Sequence, residues 1–442
     1  MKNKTQNKIE LSLFIEHEKE GAYLTLPFSV PVDAESMNLI YKYERYEEEE
    51  IRYENGSFVS RQEINIIDLG LIAPDGTQVG VSGSNKNEID ISETHATPGY
   101  KPCILVPGEW RILVGAYKVA QEGVAVFYEI TFSQKHRRLF KGDFHAHTLA
   151  SDGIFTAEEL AVRAQRHGLD FIAITDHNQM VSADALPRVP GFTLIPGLEW
   201  THYQGHANFL GVDKPFDDTF ATNTFSEVCD RFESARERGA LIIINHPFAE
   251  GNEFEFDLNA LPFDCLEIWN GPMRESNLKA IGLWQSMLKA GRKIPICGGS
   301  DYHRDTPFIF LGGPTTCVYA LSSSAPDILD ALRQGHAYIS FAPDGPSLEV
   351  TAGDAILGDT VDWSQVKELQ INADCLLTGD SIRLVTAEGN VSILEAPSAG
   401  KSHLLYTMES PGFARIEIYR SLIPGLPMFP VLISNPIYFI DA

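Results

Sequence analysis

The chain has 442 residues, too many for one ordinary domain, and its hydrophobic content of 44% can fill several cores. Its 35 basic and 60 acidic residues give a net charge of -25, which disfavours a nucleic-acid partner because such a protein needs a basic surface. The amino-terminal sequence has no apolar stretch long enough for a signal peptide or a membrane span, so we expect a cytoplasmic protein without a membrane partner.

The first segment, residues 1–136, has the alternating pattern of antiparallel β-strands. Apolar residues recur at every second position in LSLFIEH, EWRILVGAYKV and VAVFYEITF, and turns such as APDGT and TPGYKP separate these runs. The pattern predicts a β-sandwich or jelly roll. We interpret the acidic run YERYEEEEIRYENG as a solvated face, with a calcium loop as the alternative.

The middle segment, residues 140–345, changes to short apolar strands that alternate with helices. The predicted strands include LDFIAITDH, TLIPGLEW, ALIIINHP and KIPICGGSD, and in the predicted helix TAEELAVRAQRHG, Thr156 and Glu159 have capping-box spacing. A strand followed by a helix, repeated about seven times, predicts an α/β barrel or a doubly wound sheet. Residues 346–442 return to short strands such as ELQINADC and ARIEIYR, which predict a small carboxyl-terminal β domain.

Polar side chains with metal-ligating atoms follow many of the predicted strands in the middle segment. In GDFHAHTLASDG, His145 and His147 point the same way because side chains alternate along a strand. Barrel enzymes build their sites at the carboxyl edge of the strands, and histidine with carboxylate but no cysteine suits Zn, Mn or Fe. The sequence therefore predicts a site for divalent ions formed from the residues His145, His147, Asp176, His177, Glu199, His206, His246, Asp301 and His303.

Six motifs, in the order HAHTLASDG, ITDHN, PGLEW, HANFLG, NHP and GGSDYH, resemble the motif set of the PHP superfamily (polymerase and histidinol phosphatase). The resemblance covers roughly residues 140–345. EIWNG and the flanking β segments are similar to the branch of metal-dependent phosphoesterases and carbaryl-hydrolase-like enzymes. The resemblance implies a distorted (βα)7 barrel flanked by amino- and carboxyl-terminal β-sandwich-like domains, with a di- or trinuclear metal site at the carboxyl edge.

The resemblance also implies how the ligands divide among two or three ions. The first ion would be held by His145, His147, Glu199 and Asp301. The second would share Glu199 and add His206 and His246. The third would use Asp152, His177 and His303. Some family members have a histidine near the position of Asp152, so we expect this third position to be weaker or empty.

Closely spaced cations would lower the pKa of a bridging water to give metal-bound hydroxide, and they would neutralise a phosphate or polarise an ester carbonyl. We expect Asp301 or His303 to carry the proton to the leaving group. Asn270 and Arg274, in EIWNGPMRES, are expected to contact substrate oxygens, since the donors of arginine form a fork that fits a phosphate. The alternative for Arg274 is a surface residue at the start of a helix.

These features favour a metal-dependent phosphoesterase that acts on a small phosphorylated molecule. One alternative is a hydrolase of carboxylic or carbamate esters that uses the same site. Another is a non-catalytic ligand-binding or scaffold protein with a vestigial barrel, which the full set of ligand-type residues disfavours. A covalent nucleophile such as Ser300 or Cys297 is also disfavoured, because no separate base remains once the histidines hold metal.

Overall fold

The computed structural model describes residues 7–423 and 427–441, which form a mixed α/β structure with many β-strands and few helices. The chain divides into two compact units, Met1–His136 and Arg137–Ala442. No helix in the described ranges combines the length and apolarity needed to cross a membrane.

The first unit is built from β-strands and one short 3-10 helix. Its elements are β1 (Asn7–Ile15), the 3-10 helix (His17–Lys19), β2 (Tyr23–Val30), β3 (Ala34–Lys42), β4 (Tyr46–Tyr53), β5 (Gly56–Glu63), β6 (Ile66–Ile72), β7 (Gln78–Ser82), β8 (Glu88–Ser92), β9 (Gly108–Lys118) and β10 (Val124–Gln134). Eight of the strands form two four-stranded antiparallel sheets, in the orders β1-β10-β3-β8 and β2-β9-β6-β7.

Buried residues from both sheets form one hydrophobic core. Every second residue of β10 from Val124 to Phe132 is buried, and Trp110 and Ile112 of β9 belong to the same cluster. The alternation in the sequence therefore places one face of each sheet inward, as in two sheets packed face to face.

The acidic run lies on β4, which pairs with β5 in a separate two-stranded sheet. Glu47, Glu48, Glu49 and Glu50 are all exposed. The run is thus a solvated face, carried by a paired strand. A calcium-binding loop does not fit this conformation.

The second unit contains the four α-helices of the described residues. Its first elements are β11 (Arg138–Asp143), α1 (Ala157–Arg166), β12 (Phe171–Ala173), a 3-10 helix (Ala183–Ala185), β13 (Thr193–Ile195), β14 (Gly197–His202), β15 (Gly205–Leu210), α2 (Phe225–Glu237), β16 (Leu241–Ile244), β17 (Cys265–Asn270), α3 (Glu275–Lys289), β18 (Ile296–Gly299), β19 (Thr315–Ala320), α4 (Ala325–Arg333) and β20 (Ala337–Ser340). The remaining strands are β21 (Ser347–Ala352), β22 (Ala355–Ile356), β23 (Thr360–Asp362), β24 (Glu368–Leu376), β25 (Ser381–Val385), β26 (Asn390–Glu395), β27 (Gly400–Thr407), β28 (Gly412–Arg420), β29 (Phe429–Ser434) and β30 (Ile437–Ile440).

Two sheets carry the strands of the middle segment. A five-stranded sheet has the order β14-β15-β16-β17-β18, with antiparallel pairs up to β16 and parallel pairs from β16 to β18. An eleven-stranded sheet follows the path β13-β12-β11-β19-β20-β29-β28-β25-β26, with β23 and β30 beside it. Within this sheet, β11, β12 and β13 are parallel.

The helices agree with the sequence only in part. Helix α1 begins with the predicted capping box, since the Thr156 hydroxyl accepts from the backbone of Glu159 and the Glu159 carboxylate accepts in return. The expectation of about seven strand-helix units is wrong, because the described residues contain four α-helices and β14 connects to β15 through a tight antiparallel hairpin. A closed (βα)7 barrel is therefore not confirmed.

The carboxyl-terminal strands share a sheet with the middle segment. β29 pairs with β20, and β28 and β25 extend the same sheet. Directly after β29, the buried side chain of Asn435 accepts a hydrogen bond from Ile296 N at 3.0 Å and donates one to Ala337 O at 3.0 Å. Asn435 therefore braces β18 and β20. A separate domain that begins at residue 346 stays a prediction.

Candidate metal centre

The predicted ligands lie on or just beyond strand ends of the second unit. They follow β11, β12, β16 and β18 and lie on β14 and β15. Two isolated parallel bridges, Ala146 with Tyr302 and His177 with Glu199, join the end of β11 to the end of β18 and the end of β12 to β14. The strand ends that carry the candidate ligands thus meet in one region, where parallel-strand proteins commonly build their sites.

Left-handed backbone turns carry three polar residues beyond these strands. The φ angles of Asn178, His246 and Asp301 are 53, 24 and 53°, in a region that residues other than glycine seldom adopt. Hydrogen bonds hold two of these turns, since Asp301 N donates to His145 O at 2.9 Å and Asn178 N donates to Glu199 O at 2.8 Å. Backbone strain of this kind concentrates at functional sites.

Glu199 lies at the centre of the cluster, with a side chain that is 1% exposed. Its carboxylate oxygens lie 2.7 Å from His177 Nδ1, 3.2 Å from His206 Nδ1, 3.3 Å from His145 Nε2 and 3.5 Å from His246 Nε2. The carboxylate that was expected to bridge two ions therefore contacts side chains assigned to both. We call His145, His147 and Glu199 the inner group.

Asp301 connects the histidine pair to the rest of the cluster. Its Oδ1 lies 3.4 Å from His145 Nε2, 3.1 Å from His147 Nε2 and 3.7 Å from His303 Nδ1. The His145 and His147 side chains are completely buried, whereas Asp301 is 28% exposed. Asp301 thus contacts both the buried histidine pair and the partly exposed His303.

Asp152, His177 and His303, which we call the outer group, form the more exposed part of the cluster. Asp152 Oδ1 lies 3.2 Å from His303 Nε2 and 3.7 Å from His177 Nε2. The carbonyl of Asp301 accepts from His303 Nδ1 at 2.8 Å, which places the ring proton on Nδ1 and turns Nε2 toward Asp152. The structure therefore brings together the three residues expected at the third position.

Several combinations of these side chains place possible ligand atoms within 4.8 Å of one another. The groups are His147 with Asp152, His177 and His303; His145 with His246 and Asp301; His145 with His147 and Glu199; and Glu199 with His206 and His246. The last group coincides with the second predicted set. The first predicted set is divided between two groups, and His145, His147, Glu199 and His246 each belong to two, so the division of ligands among individual ions stays a prediction.

Unsatisfied buried atoms show that these residues fit a metal ion. His145 Nε2 and Glu199 Oε2 are buried, yet neither makes a hydrogen bond of acceptable geometry with any described residue. The same holds for His147 Nδ1 and His246 Nδ1. Leaving buried polar atoms without partners is costly. A cation between the inner-group side chains would satisfy His145 Nε2 and Glu199 Oε2 at once.

The charges in the cluster reinforce this fit. Burial alone would lower the pKa of His145, but the nearby charges of Asp301, Glu267 and Glu199 raise that pKa well above its ordinary value. Burial opposes the ionisation of Glu199, yet the positive field of His145 holds the pKa of Glu199 well below its usual range. Burial lowers the pKa of His147 and keeps that ring neutral. The cluster thus concentrates ionised carboxylates, which a divalent cation would neutralise.

A cavity of about 510 Å³ opens in front of the cluster, and the two predicted substrate contacts line it. Arg274 Nη2 donates to Asn270 Oδ1 at 3.0 Å. Arg274 also occupies the N-cap position of α3, so both interpretations of this residue describe its location. It is the only lysine or arginine among the described residues that line the cavity. Glu250 and Asn252, which were not predicted, line it as well.

Sequence reasoning missed Glu267, a buried carboxylate on β17. Glu267 Oε1 lies 3.0 Å from His145 Nδ1, and Glu267 Oε2 accepts from His246 N at 2.9 Å. Its signal is visible in CLEIWN, where a single carboxylate lies among the apolar residues of a fully buried strand that ends in Asn270. An acidic residue at such a position needs partners, which here are candidate metal ligands.

Two other buried aspartates organise the loops around the site. Asp176, grouped with the ligands in the sequence, instead accepts from Thr148 N, Thr148 Oγ1 and Ser151 Oγ, each at 2.7 Å. Asp143 accepts from Ser300 N and Gly312 N, each at 3.0 Å, and from the Ser300 hydroxyl. Ser300 is therefore committed to Asp143, which agrees with its exclusion as a nucleophile. Neither aspartate lines the cavity, so both support the site from behind through the loops that they hold.

Residues 143–244 match the family model described as the PHP domain. A stretch of 80 residues is 35% identical to the 5'-3' exoribonuclease Rnm of Salmonella typhimurium. That match covers 16% of this chain and spans only 27% of the length of the exoribonuclease.

Two solved structures show partial similarity. A two-domain protein from Bacteroides vulgatus, containing a predicted PHP-like metal-dependent phosphoesterase, is 17% identical with a TM-score of 0.40. The match covers 68% of this chain and 95% of that protein. An amidohydrolase from Chromobacterium violaceum is 14% identical with a TM-score of 0.28, covering 38% of this chain and 89% of its own.

Proposed function

We propose, from the premise that this chain contains a PHP domain, that it is a metal-dependent phosphoesterase acting on a small phosphorylated molecule. The observation that carries the proposal is the convergence of buried, unsatisfied histidine and carboxylate atoms on one polar cavity. Such a donor set suits Zn, Mn or Fe.

The proposed ligand sets follow the cluster. One ion would be held by His145, His147, Glu199 and Asp301, since both rings lie 3.1–3.7 Å from the two carboxylates. A second would be held by Glu199, His206 and His246. A third, weaker position would use Asp152, His177 and His303, which share one group of possible ligands with His147. When bound, the ions would polarise the scissile ester and lower the pKa of a water molecule in the cavity.

The remaining chemistry belongs to the side chains around the cavity. Arg274, steadied by Asn270, would bind phosphate oxygens through its forked donors and offset the repulsion that the acidic surface exerts on an anion. His303 donates its Nδ1 proton to the Asp301 carbonyl, so when the third position is empty its Nε2 is free to accept a proton beside Asp152. Asp301, which contacts His147 and His303, would orient these two rings.

We further propose that seven strands, β11, β12 and β14 to β18, surround the site as a distorted barrel. The parallel bridges Ala146 with Tyr302 and His177 with Glu199 support closure at the carboxyl ends. In this proposal, residues 140–345 form the catalytic domain and 346–442 a small β domain.

The test is removal and return of metal on the full chain, with p-nitrophenyl phosphate and p-nitrophenyl acetate assayed side by side. We expect phosphate hydrolysis to vanish with a chelator and to return with Mn²⁺ or Zn²⁺. Acetate hydrolysis alone would support the ester-hydrolase alternative. A metal-loaded protein inert toward both, and toward a wider phosphate and ester panel, would support the ligand-binding alternative. Full activity after verified metal removal would contradict the mechanism.

A nucleic-acid phosphodiester is a second candidate substrate, favoured by the local similarity to the Salmonella exoribonuclease. The net charge of -25 opposes it. A short 5'-phosphorylated oligoribonucleotide, compared with a phosphorylated mononucleoside under the same conditions, separates the two candidates. Faster cleavage of the oligonucleotide would favour the nuclease.

A further inference from the structure

We propose that Glu267 is a positioning residue that fixes which ring nitrogen of His145 faces the metal centre and couples His145 to the turn of His246. The inference rests on the proposed metal centre, although its structural part can be tested without metal. Glu267 lies on β17 and has a side chain that is 2% exposed.

The first contact sets the tautomer of His145. Glu267 Oε1 lies 3.0 Å from His145 Nδ1, and His145 is completely buried. A carboxylate only accepts hydrogen bonds, so Nδ1 carries the proton in this pair. In the neutral ring the lone pair then lies on Nε2, 3.3 Å from Glu199 and 3.4 Å from Asp301. A carboxylate behind a ligand histidine orients the ring and raises its basicity.

The second oxygen of Glu267 holds other parts of the site. Oε2 accepts from His246 N at 2.9 Å and from Asn270 Nδ2 at 3.2 Å. The backbone of His246 has a φ of 24°, so this bond stabilises a turn that is otherwise unfavourable. Asn270 in turn accepts from Arg274. One carboxylate therefore contacts a ligand ring, a ligand backbone and the residue that holds the predicted phosphate-binding arginine.

Close packing against Gly299 keeps the side chains of Glu267 and His145 from moving apart on that side. A Cβ added to Gly299 would lie 2.4 Å from His145 Cβ and 2.6 Å from Glu267 Oε1. The glycine backbone of β18 thus lies directly against both side chains, and neither can retreat in that direction. The positions of β17, β18 and the residues after β11 therefore determine the contact between Glu267 and His145.

Glu267→Gln tests the role because it keeps the shape while removing the charge and one strong acceptor. We expect the affinity for Zn²⁺, measured by competition with a chelating dye, to fall roughly 10- to 100-fold. Asp380→Asn is the matched control, since Asp380 is also buried and pairs with Arg420. Asp380→Asn should lower thermal stability and leave the Zn²⁺ affinity unchanged. If Glu267 had a purely structural role, Glu267→Gln would give this same result.

A second measurement reads the tautomer directly in the metal-free full chain labelled with ¹⁵N-histidine, at a pH high enough for the His145 ring to be neutral despite its raised pKa. The wild type should show His145 protonated on Nδ1, assigned by its loss in His145→Gln, and Glu267→Gln should shift that signal. A wild-type His145 protonated only on Nε2 would overturn the proposal even if Glu267→Gln fails to fold. Unchanged Zn²⁺ affinity in a folded Glu267→Gln would overturn it as well. Absence of Zn²⁺ binding by the wild type would instead contradict the proposed function, while the tautomer still decides the role of Glu267.

Discussion

The inner and outer groups of the site use the same types of side chain but hold them differently. His145 and His147 are completely buried and Glu199 is 1% exposed, whereas Asp152, His177 and His303 are 54%, 27% and 24% exposed. The inner carboxylate also accepts from the buried Asn245 at 2.8 Å.

The difference in burial predicts different affinities of the two groups for a cation. Buried ligands fixed by other side chains lose little freedom when a cation binds, so the inner group is preorganised. In the outer group, Asp152 is more than half exposed, and water competes for its carboxylate. We therefore expect the inner group to determine whether metal is retained, and the outer group to affect at most one ion and part of the turnover.

The largest expected effect comes from Glu199→Gln, which attacks the centre of the inner group. The change keeps the shape but removes the charge that would hold two cations close together. We expect loss of the first and second ions and of turnover to the assay background, measured by mass spectrometry of metal content and by phosphate release. Glu417→Gln, at another buried glutamate, is the control and should retain metal. A wild-type metal count in Glu199→Gln would show that the bridging assignment is wrong.

The next effect is expected from Gly299→Ala, which tests the packing behind the inner group. The added methyl would meet His145 Cβ at 2.4 Å, so the histidine must move. We expect a loss of about 1–3 kcal/mol in the free energy of unfolding, together with weaker metal binding. Denaturant unfolding and dye competition measure the two.

Gly282→Ala is the matched glycine control. Its Cβ would meet nothing within 4 Å on α3, so we expect a gain of about 0.5–1 kcal/mol in the free energy of unfolding and unchanged metal affinity. Equal behaviour of the two alanine variants would contradict the tight packing around His145.

Arg274→Ala removes the arginine that lines the cavity and leaves the inner and outer groups of candidate ligands intact. We expect kcat/KM for a phosphate ester to fall, corresponding to a loss of about 1.5–3 kcal/mol of transition-state stabilisation. The value of kcat/KM for a neutral ester should change little. Arg292→Ala is the control, because Arg292 instead donates to Asn259. Equal losses on both substrates would mean that Arg274 acts through structure alone.

The smallest effect is expected from Asp152→Ala, which removes the anionic ligand of the outer group. It should lose at most one ion and keep part of its turnover, since the inner group is untouched. Metal counting with circular dichroism as a folding check measures this. If every ion were lost, the two groups would not be separable.

The sequence predicted many of the strands because their alternation or apolar runs are local features. β10 and β16, for example, overlap the runs VAVFYEITF and ALIIINHP. The candidate ligands could also be predicted, since each lies on or beside a strand end and strand ends converge. Pairing over long distances leaves no such local sign. β20 and β29 are joined in one sheet although nothing in either run of residues specifies the other.

The supporting residues were harder to predict for a related reason. Asp176 and His177 are neighbours in the motif, yet Asp176 turns to Thr148 and His177 to Glu199. Glu267 lies on a strand whose residues are all buried, so its lone carboxylate indicates a buried acid that needs partners but not which histidines are those partners. Such roles depend on which backbone atoms lie opposite, which only the assembled sheets determine.

The position of Asn435 has a consequence for the order in which the chain becomes functional during synthesis. Its side chain holds the first residue of β18, whose other end leads into Asp301 and His303, and β20 waits for β29 to cover its edge. A ribosome that has released residues 140–345 has therefore delivered every candidate ligand, but not Asn435, which holds the start of the strand that leads to two of them. The proposed metal centre is expected to form fully only after residue 435 has emerged, so a nascent chain stalled earlier should bind Zn²⁺ more weakly than one stalled later.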